Sequence, residues 1–135
     1  PTEDPPDVNA ASYADVLQHA FADRPHTFDL ALLGMGTDGH TASLFPEHDP
    51  QPNDPKWVRA VSAPPRHDIA QRITCTLPVL NAARRAYVLV SGASKRETVD
   101  AALNERDDTL PITRVQPREP LVWFLDEAAT PPSSP

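Results

Sequence analysis

The amino-acid sequence predicts an α/β protein built on a mainly parallel, layered sheet. Two apolar runs, residues 28–33 and 86–90, have the composition of strands buried on both faces of a parallel sheet. Helical patterns alternate with such runs along the chain, as they do in α/β proteins. Ligands bind beyond the carboxyl ends of the strands in these sheets. Functional residues are therefore expected in the glycine-containing segments that follow the two runs.

The first predicted element is a helix over residues 10–22. Asn9 precedes it and has a side chain that commonly caps helices. The apolar residues recur at helical spacing on one face, namely Tyr13, Val16, Leu17, Ala20 and Phe21. Pro25 then separates this helix from the strand at residues 28–33.

The elements after the first strand are shorter. Residues 46–65 are rich in proline and should be irregular around a short strand at 57–62. Residues 71–77 alternate, which predicts a strand with Ile73, Cys75 and Leu77 on one face and Arg72, Thr74 and Thr76 on the other. The remaining elements are expected at residues 78–83 (helix), 86–90 (strand), 95–103 (helix) and 121–125 (strand).

Composition limits the classes of protein that this chain can represent. Its 135 residues suit a single domain over 1–135, or part of a larger one. The net charge of −7 argues against nucleic-acid binding, and no apolar run approaches the ~18 residues of a membrane-spanning helix. Cys75 is the single cysteine, which excludes an internal disulfide and a multi-cysteine zinc site. A cytoplasmic location is the default expectation.

A glycine-rich turn follows the first apolar run. Gly34, Gly36 and Gly39 match the G-x-G-x-x-G spacing of dinucleotide-binding proteins. Two features argue against that function, because Pro46 leaves no room for the long helix and residues 57–63 supply no acidic residue at the end of the next strand. The glycines still allow unusual backbone angles and a close approach of a ligand.

The same turn contains Asp38 and His40. A histidine at the carboxyl end of a strand can act as a base near neutral pH. Asp38 could then select its tautomer or bind a substrate hydroxyl. The alternatives are a histidine hydrogen-bonded within a tight turn, and a metal site, for which two ligands without a third are too few.

A second candidate segment follows residues 86–90. Ser94 and Glu97 have the spacing of a capping box, which places Lys95 in the first helical turn, where a cation opposes the helix dipole. This placement favours an anion held there by Lys95 and free backbone N–H groups. The alternative is a solvated lysine. Arg72 could supply a second cation or pair with a surface carboxylate.

The motifs together resemble the 6-phosphogluconolactonase family. Residues 33–46 (LGMGTDGHTASLFP) closely resemble the signature of that family. Further matching segments are residues 71–78, residues 80–84, Ser91-Gly92 with Lys95, and residues 122–126. The resemblance implies a Rossmann-like layered fold, shared with glucosamine-6-phosphate deaminases. It also implies hydrolysis of 6-phospho-D-glucono-1,5-lactone to 6-phosphogluconate in the oxidative pentose phosphate pathway.

The resemblance also implies roles for individual residues. His40 would activate water, and Asp38 would orient it or the sugar hydroxyls. The substrate-binding residues would be Gly36, Gly39, Arg72 and Lys95, the last two at the phosphate. No metal and no organic cofactor is implied, because a lactone is already an activated acyl group. The expected partner is a sugar-phosphate lactone, with no nucleic acid and no membrane.

The chain departs from the family pattern in two ways. Family members begin with a Gly-rich phosphate loop that has no match here, so an incomplete N-terminus is expected, with the missing segment or a second chain as a further partner. Residues 62–65 lack a lysine that related sequences often carry, and residues 66–70 look like an insertion.

Two alternatives to the lactonase follow from the resemblance. A glucosamine-6-phosphate deaminase/isomerase would carry a glutamate five residues after the histidine, but Phe45 stands there. A non-catalytic sugar-phosphate-binding domain would bind the same ligands without a productive base.

Overall fold

The computed structural model describes residues 4–132. The helices in this range are α1 (Pro6–Phe21), α2 (Leu77–Asn81) and α3 (Arg96–Asp100). The strands are β1 (Leu30–Gly34), β2 (Val58–Ser62), β3 (Gln71–Cys75), β4 (Arg85–Val90) and β5 (Val122–Leu125). All the predicted elements form, with bounds that lie within four residues of the predicted ones.

The strands form two sheets. β1, β4 and β5 make a parallel sheet in the order β1-β4-β5, in which Gly34 pairs with Leu89 and Leu89 with Phe124. β2 and β3 form a separate antiparallel pair. The predicted α/β class with a mainly parallel sheet is confirmed. The parallel arrangement brings the carboxyl ends of β1 and β4 to the same edge.

The main core lies on one face of the parallel sheet. Ala86 and Val88 point into it and are completely buried. The helical segment after β4 covers them through Val99 and Ala102, and Ile112 packs in the same cluster. This burial fixes the position of the helical segment relative to the ends of β1 and β4.

The opposite face of the same sheet is apolar and exposed. Leu32 is 65% exposed and Phe124 is 52% exposed. Their exposed neighbours on this face are Leu30, Leu89 and Val122. The two apolar runs, 28–33 and 86–90, were expected to be buried on both faces of the sheet. Among the described residues, 4–132, only one face is covered, so this prediction is wrong. The described helices pack elsewhere: α1 lies against the β2/β3 pair, and the helical segment after β4 lies on the core face.

Helix α1 begins at Pro6, not after a cap at Asn9. Proline suits a first helical turn, because its missing N–H would have no partner there. Asn9 lies inside the helix, and its side-chain amide donates a hydrogen bond to the carbonyl of Asp4 (2.8 Å). The predicted helix start at residue 10 is wrong for this reason.

The buried face of α1 also differs from the predicted one. Ala10 and Leu17 are buried against Val58 of β2, whereas Tyr13 and Val16 remain exposed. The small side chain of Ala10 lets the helix approach the antiparallel pair closely. A pattern of large apolar residues could not identify that face.

The predicted alternation of β3 is present, and its more buried face is the one that carries Thr74. Thr74 is only 4% exposed, and Ile73 on the other face is exposed. The Thr74 hydroxyl is satisfied, because it accepts a hydrogen bond from the N–H of Ser43 (3.1 Å) and donates one to the carbonyl of Cys75 (3.0 Å). Its burial therefore supports the chain just after the glycine turn at little cost.

The helical segment after β4 is composite. A 3₁₀ turn (Ala93–Lys95) precedes α3, and a π-helical segment (Ala101–Glu105) follows it. The expected single helix over 95–103 thus starts two residues earlier and ends two later. No side-chain cap forms at its start, so the predicted Ser94–Glu97 capping box is wrong. Across residues 4–132, no helix has the length and hydrophobicity needed to traverse a lipid bilayer.

Candidate active site

The glycine turn and the helical segment after β4 meet at the edge formed by the ends of β1 and β4. The ammonium group of Lys95 donates a hydrogen bond to the carbonyl of Met35 (2.7 Å). The Thr98 hydroxyl donates to the carbonyl of Thr37 (2.7 Å). The two segments that the sequence singled out are therefore in direct contact.

Internal hydrogen bonds shape the turn itself. The N–H of Gly36 donates to the carbonyl of His40 (2.9 Å), and the N–H of Gly39 donates to the carbonyl of Gly36 (3.1 Å). Gly39 adopts φ +75°, which favours glycine. Leu110 lies against its α-carbon. These contacts direct the His40 side chain back over Gly36.

Gly36 lies directly beneath the His40 ring. A Cβ atom added at Gly36 would overlap Nδ1 and Cε1 of His40 and Oδ1 of Asp38. The absence of a side chain at Gly36 thus makes room for the histidine and its carboxylate.

Asp38 and His40 form a hydrogen-bonded pair. Nδ1 of His40 lies 2.6 Å from Oδ1 of Asp38, and the His40 N–H donates to the same oxygen (3.2 Å). The two side chains are 21% and 19% exposed, so the pair is shielded but reachable. Burial by itself would raise the pKa of Asp38, but hydrogen bonds from Arg66 and His40 outweigh it and hold this pKa well below the usual range. An ionised Asp38 only accepts hydrogen bonds, so Nδ1 donates to it, and in the neutral tautomer of His40 the lone pair is on Nε2.

Arg66 is a site residue that the sequence analysis did not identify. Its guanidinium donates to Oδ2 of Asp38 and to Oε1 of Glu47 (2.6 Å to Glu47). Residues 66–70, interpreted from sequence as an insertion, thus fold back onto the Asp-Gly-His turn. Residues 62–65 lack the lysine that related sequences often carry. A search for a replacement cation near that position could have identified Arg66.

A cluster of aromatic rings surrounds His40. Phe45 is completely buried at its centre. The ring centroids of His40, His67 and His48 lie 5.0, 4.9 and 5.9 Å from that of Phe45. The rings of His40 and His67 meet edge to face at 5.1 Å. His67 lies 27 positions after His40 and belongs to no motif that the sequence offered.

The surroundings of His67 lower its pKa below the usual value, which favours the neutral form of the ring. Burial lowers its pKa most, and the neighbouring His40, Arg72 and Arg66 lower it further. His67 therefore adds a neutral imidazole beside His40 near pH 7, with both a donor and an acceptor nitrogen.

The two predicted phosphate ligands lie on different parts of the site. The Arg72 guanidinium lies over the Phe45 ring, 5.9 Å from its centroid, and its Nε donates to the carbonyl of Ile69 (3.1 Å). Lys95 reaches the turn through Met35. Both cations therefore lie near the Asp38–His40 pair, but each is held by a backbone carbonyl.

The backbone near Lys95 differs from the expected anion site. The N–H of Gly92 donates to both carboxylate oxygens of Asp126 (3.1 and 3.0 Å). The prediction relied on free backbone N–H groups at this helix start, and this N–H is already bonded to an acidic side chain. The Gly92 N–H is therefore not available to an anion at the start of this helical segment.

A cavity of about 480 Å³ lies beside the turn. Ser43, Thr74 and Arg59 are among its lining residues, but Asp38 and His40 are not. The Asp38–His40 pair thus opens outside this cavity.

Comparison with known proteins identifies the family. Residues 1–123 match the family described as "Glucosamine-6-phosphate isomerases/6-phosphogluconolactonase". The chain belongs to this family. The match extends over both sheets and includes every candidate site residue, so the resemblance inferred from the motifs is confirmed.

Relatives within the family support the lactonase branch. The chain is 43% identical over 128 residues to the 6-phosphogluconolactonase of Homo sapiens, covering 93% of this chain and 49% of that protein. It is 45% identical over 103 residues to 6-phosphogluconolactonase 3, chloroplastic, of Arabidopsis thaliana, covering 76% of this chain and 31% of that protein. The solved structure of 6-phosphogluconolactonase from Thermotoga maritima superposes with a TM-score of 0.77 at 32% identity, covering 93% of this chain and 53% of that chain. The chain thus spans about half the length of such relatives, or less.

Proposed function

We propose that this chain carries the base and part of the substrate site of a 6-phosphogluconolactonase, which hydrolyses 6-phospho-D-glucono-1,5-lactone to 6-phosphogluconate. The observation that carries the proposal is the hydrogen bond between His40 and an ionised Asp38, which leaves Nε2 of His40 free. The named relatives are lactonases, which supports the same reaction here.

The reaction requires one proton to move twice. Nε2 of His40 takes a proton from water as the water oxygen attacks the lactone carbonyl carbon. The tetrahedral intermediate collapses, and the bond from this carbon to the ring oxygen breaks. His40 returns the proton to the ring oxygen, which becomes a hydroxyl group. Asp38 keeps Nδ1 protonated and stabilises the imidazolium that forms between the two transfers.

We assign the phosphate group to Arg72 and Lys95. The net charge of the chain is −7, so an anionic substrate needs a local group of cations. Arg72 lies over the Phe45 ring, which packs against His40. Lys95 bonds to the carbonyl of Met35, in the same turn as the Asp38–His40 pair. Gly36 and Gly39 contribute by keeping the floor of this site free of side chains.

The deaminase/isomerase activity of the same family is the alternative enzyme. Notwithstanding the shared Asp-Gly-His turn, Phe45 occupies the position where that activity would use a glutamate. Its ring is completely buried and cannot transfer a proton. This observation favours the lactonase.

A non-catalytic sugar-phosphate-binding domain is the alternative from a different class. It would bind 6-phosphogluconate without turning over the lactone. The Asp38–His40 geometry argues against it, because a binding domain has no need for an oriented base.

Several features of the working protein remain proposals. We infer a single domain over residues 1–135, a cytoplasmic location, and a sugar-phosphate lactone as the partner molecule, with no nucleic acid and no membrane. The exposed apolar face of the parallel sheet supports a further partner, which would be an additional segment of the polypeptide or a second chain.

The proposed function is tested with His40→Asn. The variant should lose about 10²–10⁴-fold in lactone hydrolysis, because it lacks the base, and should keep most of its affinity for 6-phosphogluconate. Hydrolysis is measured by proton release, and binding by calorimetry.

His48→Asn is the matched control. His48 contacts the same Phe45 ring but makes no hydrogen bond to Asp38. This variant should hydrolyse the lactone at nearly the rate of the unmodified protein. Near-normal turnover by His40→Asn would mean that His40 only stabilises the turn. Tight binding without turnover in the unmodified protein would favour the non-catalytic alternative.

A further inference from the structure

Three potential metal ligands converge at the site. One donor atom each from Asp38, His40 and His67 lies within 4.8 Å of the other two. The sequence offered only the first two, which lie two residues apart in one turn. The third arrives from the loop between β2 and β3 and could not be placed from sequence.

The His67 ring has an unused nitrogen. Its Nε2 atom is buried and has no hydrogen-bond partner within residues 4–132. Buried polar atoms are nearly always paired, so an unpaired one calls for a partner such as a water molecule or an ion. The ring contacts His40 edge to face, with 5.1 Å between the ring centroids, and one of its nitrogens lies within 4.8 Å of donor atoms of Asp38 and His40.

We propose that Asp38, His40 and His67 bind Zn²⁺ or a similar divalent transition metal, and that the bound ion inhibits the enzyme. Two imidazoles and one carboxylate form a donor set that suits such ions, and a water molecule or the substrate would complete the coordination. Tetrahedral zinc holds its ligands roughly 3.3 Å apart. Small side-chain rotations, on the order of 1 Å, would bring the three donors to that spacing.

Arg66 competes with the metal for Asp38. Its guanidinium is bonded to Oδ2 of Asp38 and anchored on the other side by Glu47. A bound cation would displace this ion pair or share the carboxylate with it. Metal binding and the Asp38–Arg66 pair therefore oppose each other, which keeps the affinity moderate and the binding reversible.

Occupancy of the site would stop the proposed reaction. A His40 nitrogen that ligates a metal cannot take a proton from water, and an Asp38 oxygen bound to the metal no longer orients the ring. The ion is thus an inhibitor of the proposed reaction. The inhibition rests on the proposed function, but the binding does not.

Cobalt(II) tests the binding without reference to activity. The untagged 135-residue chain is titrated with Co²⁺ at neutral pH in a buffer that does not chelate metals. We expect one equivalent to bind, with the intense visible absorption of four- or five-coordinate Co²⁺, and Zn²⁺ to displace it. His67→Asn should weaken this binding at least about tenfold, whereas the matched variant His48→Asn should not change it. Circular dichroism checks that each variant folds.

Arg66→Gln should change the affinity for Co²⁺ in the direction opposite to His67→Asn. Removing the competing guanidinium should tighten Co²⁺ binding, a result that surface binding or misfolding would not produce. The proposal is overturned if no such absorption develops, if His67→Asn binds as tightly as the unmodified chain, or if Arg66→Gln fails to bind more tightly. In an active preparation, Zn²⁺ should inhibit hydrolysis less in His67→Asn than in His48→Asn. If Co²⁺ binds as expected but His40→Asn hydrolyses the lactone as fast as the unmodified protein, the metal site stands and the proposed function fails.

Discussion

At the scale of single residues, the candidate site depends on the space that Gly36 leaves open. The His40 ring and the Asp38 carboxylate both lie over this glycine. Gly34, two positions earlier, has no atom near the point where a side chain would begin. The two glycines therefore differ in function, although both belong to the same motif.

We expect Gly36→Ala to displace His40 and Asp38 and to lower lactone hydrolysis by about 10²-fold, because small misplacements of reacting groups have effects of that size. The added methyl group has no room unless the histidine moves. Gly34→Ala is the matched control and should retain nearly all activity. Steady-state rates of both variants, with thermal unfolding to check the fold, test this expectation. Equal activity in the two variants would mean that the contact at Gly36 is not needed.

The ionisation of Asp38 links the site to stability. Because folding lowers the pKa of Asp38, the ionised carboxylate stabilises the folded state at pH values above its unfolded pKa, roughly 3.9. This contribution is lost as the pH falls through the folded pKa. We therefore expect the unmodified chain to have a larger free energy of unfolding than Asp38→Asn. This difference should be largest at pH 7 and should shrink as the pH is lowered toward 3. Urea denaturation across this range measures it.

Arg66→Gln provides the comparison for that measurement. It removes a main partner of the Asp38 carboxylate. The free energy of unfolding of this variant should therefore change less than that of the unmodified chain between pH 7 and pH 3. A difference between the unmodified chain and Asp38→Asn that stays constant from pH 7 to pH 3 would contradict the assigned ionisation.

At the scale of secondary-structure elements, the site forms where two connections meet. The connection after β1 carries Asp38 and His40, and the helical segment after β4 touches it through Lys95 and Thr98. Parallel pairing of β1 with β4 places both connections at one edge. The loop between β2 and β3 covers the same edge from the side and contributes Arg66 and His67.

We expect Lys95→Ala to weaken binding of 6-phosphogluconate much more than binding of gluconate, because only the former carries the phosphate that the ammonium would contact. Calorimetry with both ligands measures the two losses. Arg96→Ala is the matched control, since this neighbouring cation bonds to the carbonyl of Ala128 instead of the turn. If Lys95→Ala lost the same affinity for both ligands, the cause would be a distorted turn, because Lys95 also bonds to the carbonyl of Met35. A lost phosphate contact would not explain that result.

At the scale of the whole molecule, the parallel sheet is covered on one face only within residues 4–132. The other face presents a continuous set of apolar side chains across β1, β4 and β5. Parallel sheets are normally covered on both faces, and exposed apolar patches of this kind promote association. The isolated chain should therefore hide this face by binding another copy.

We expect the isolated chain to self-associate and to hydrolyse the lactone poorly by itself. A double variant that combines Leu32→Ser and Phe124→Ser should self-associate less. Both side chains lie on the exposed face, so the exchange should leave the core intact. Sedimentation velocity at several concentrations measures the association. The control combines Val8→Ser and Val16→Ser, which replace exposed residues on α1. A fully active, monodisperse monomer of the unmodified chain would contradict the expectation.

The sequence by itself determined the features that depend on neighbours along the chain. The apolar run before the glycine turn predicted β1, and the two-residue spacing of Asp38 and His40 made their pairing one of the expected arrangements. Both are local, since one turn can bring them together without help from the rest of the fold. The α/β class and the family followed from the order of such local patterns.

Only the tertiary structure decided which faces are buried and which distant residues join the site. Thr74 is buried because its hydroxyl bonds to the backbone near the turn, and Leu32 is exposed because no described element packs over it. Arg66 and His67 reach the Asp38–His40 pair only because the loop between β2 and β3 folds back across the sheet edge. Contacts of this kind depend on how the two sheets pack, and neither hydrophobic periodicity nor motif spacing contains that information.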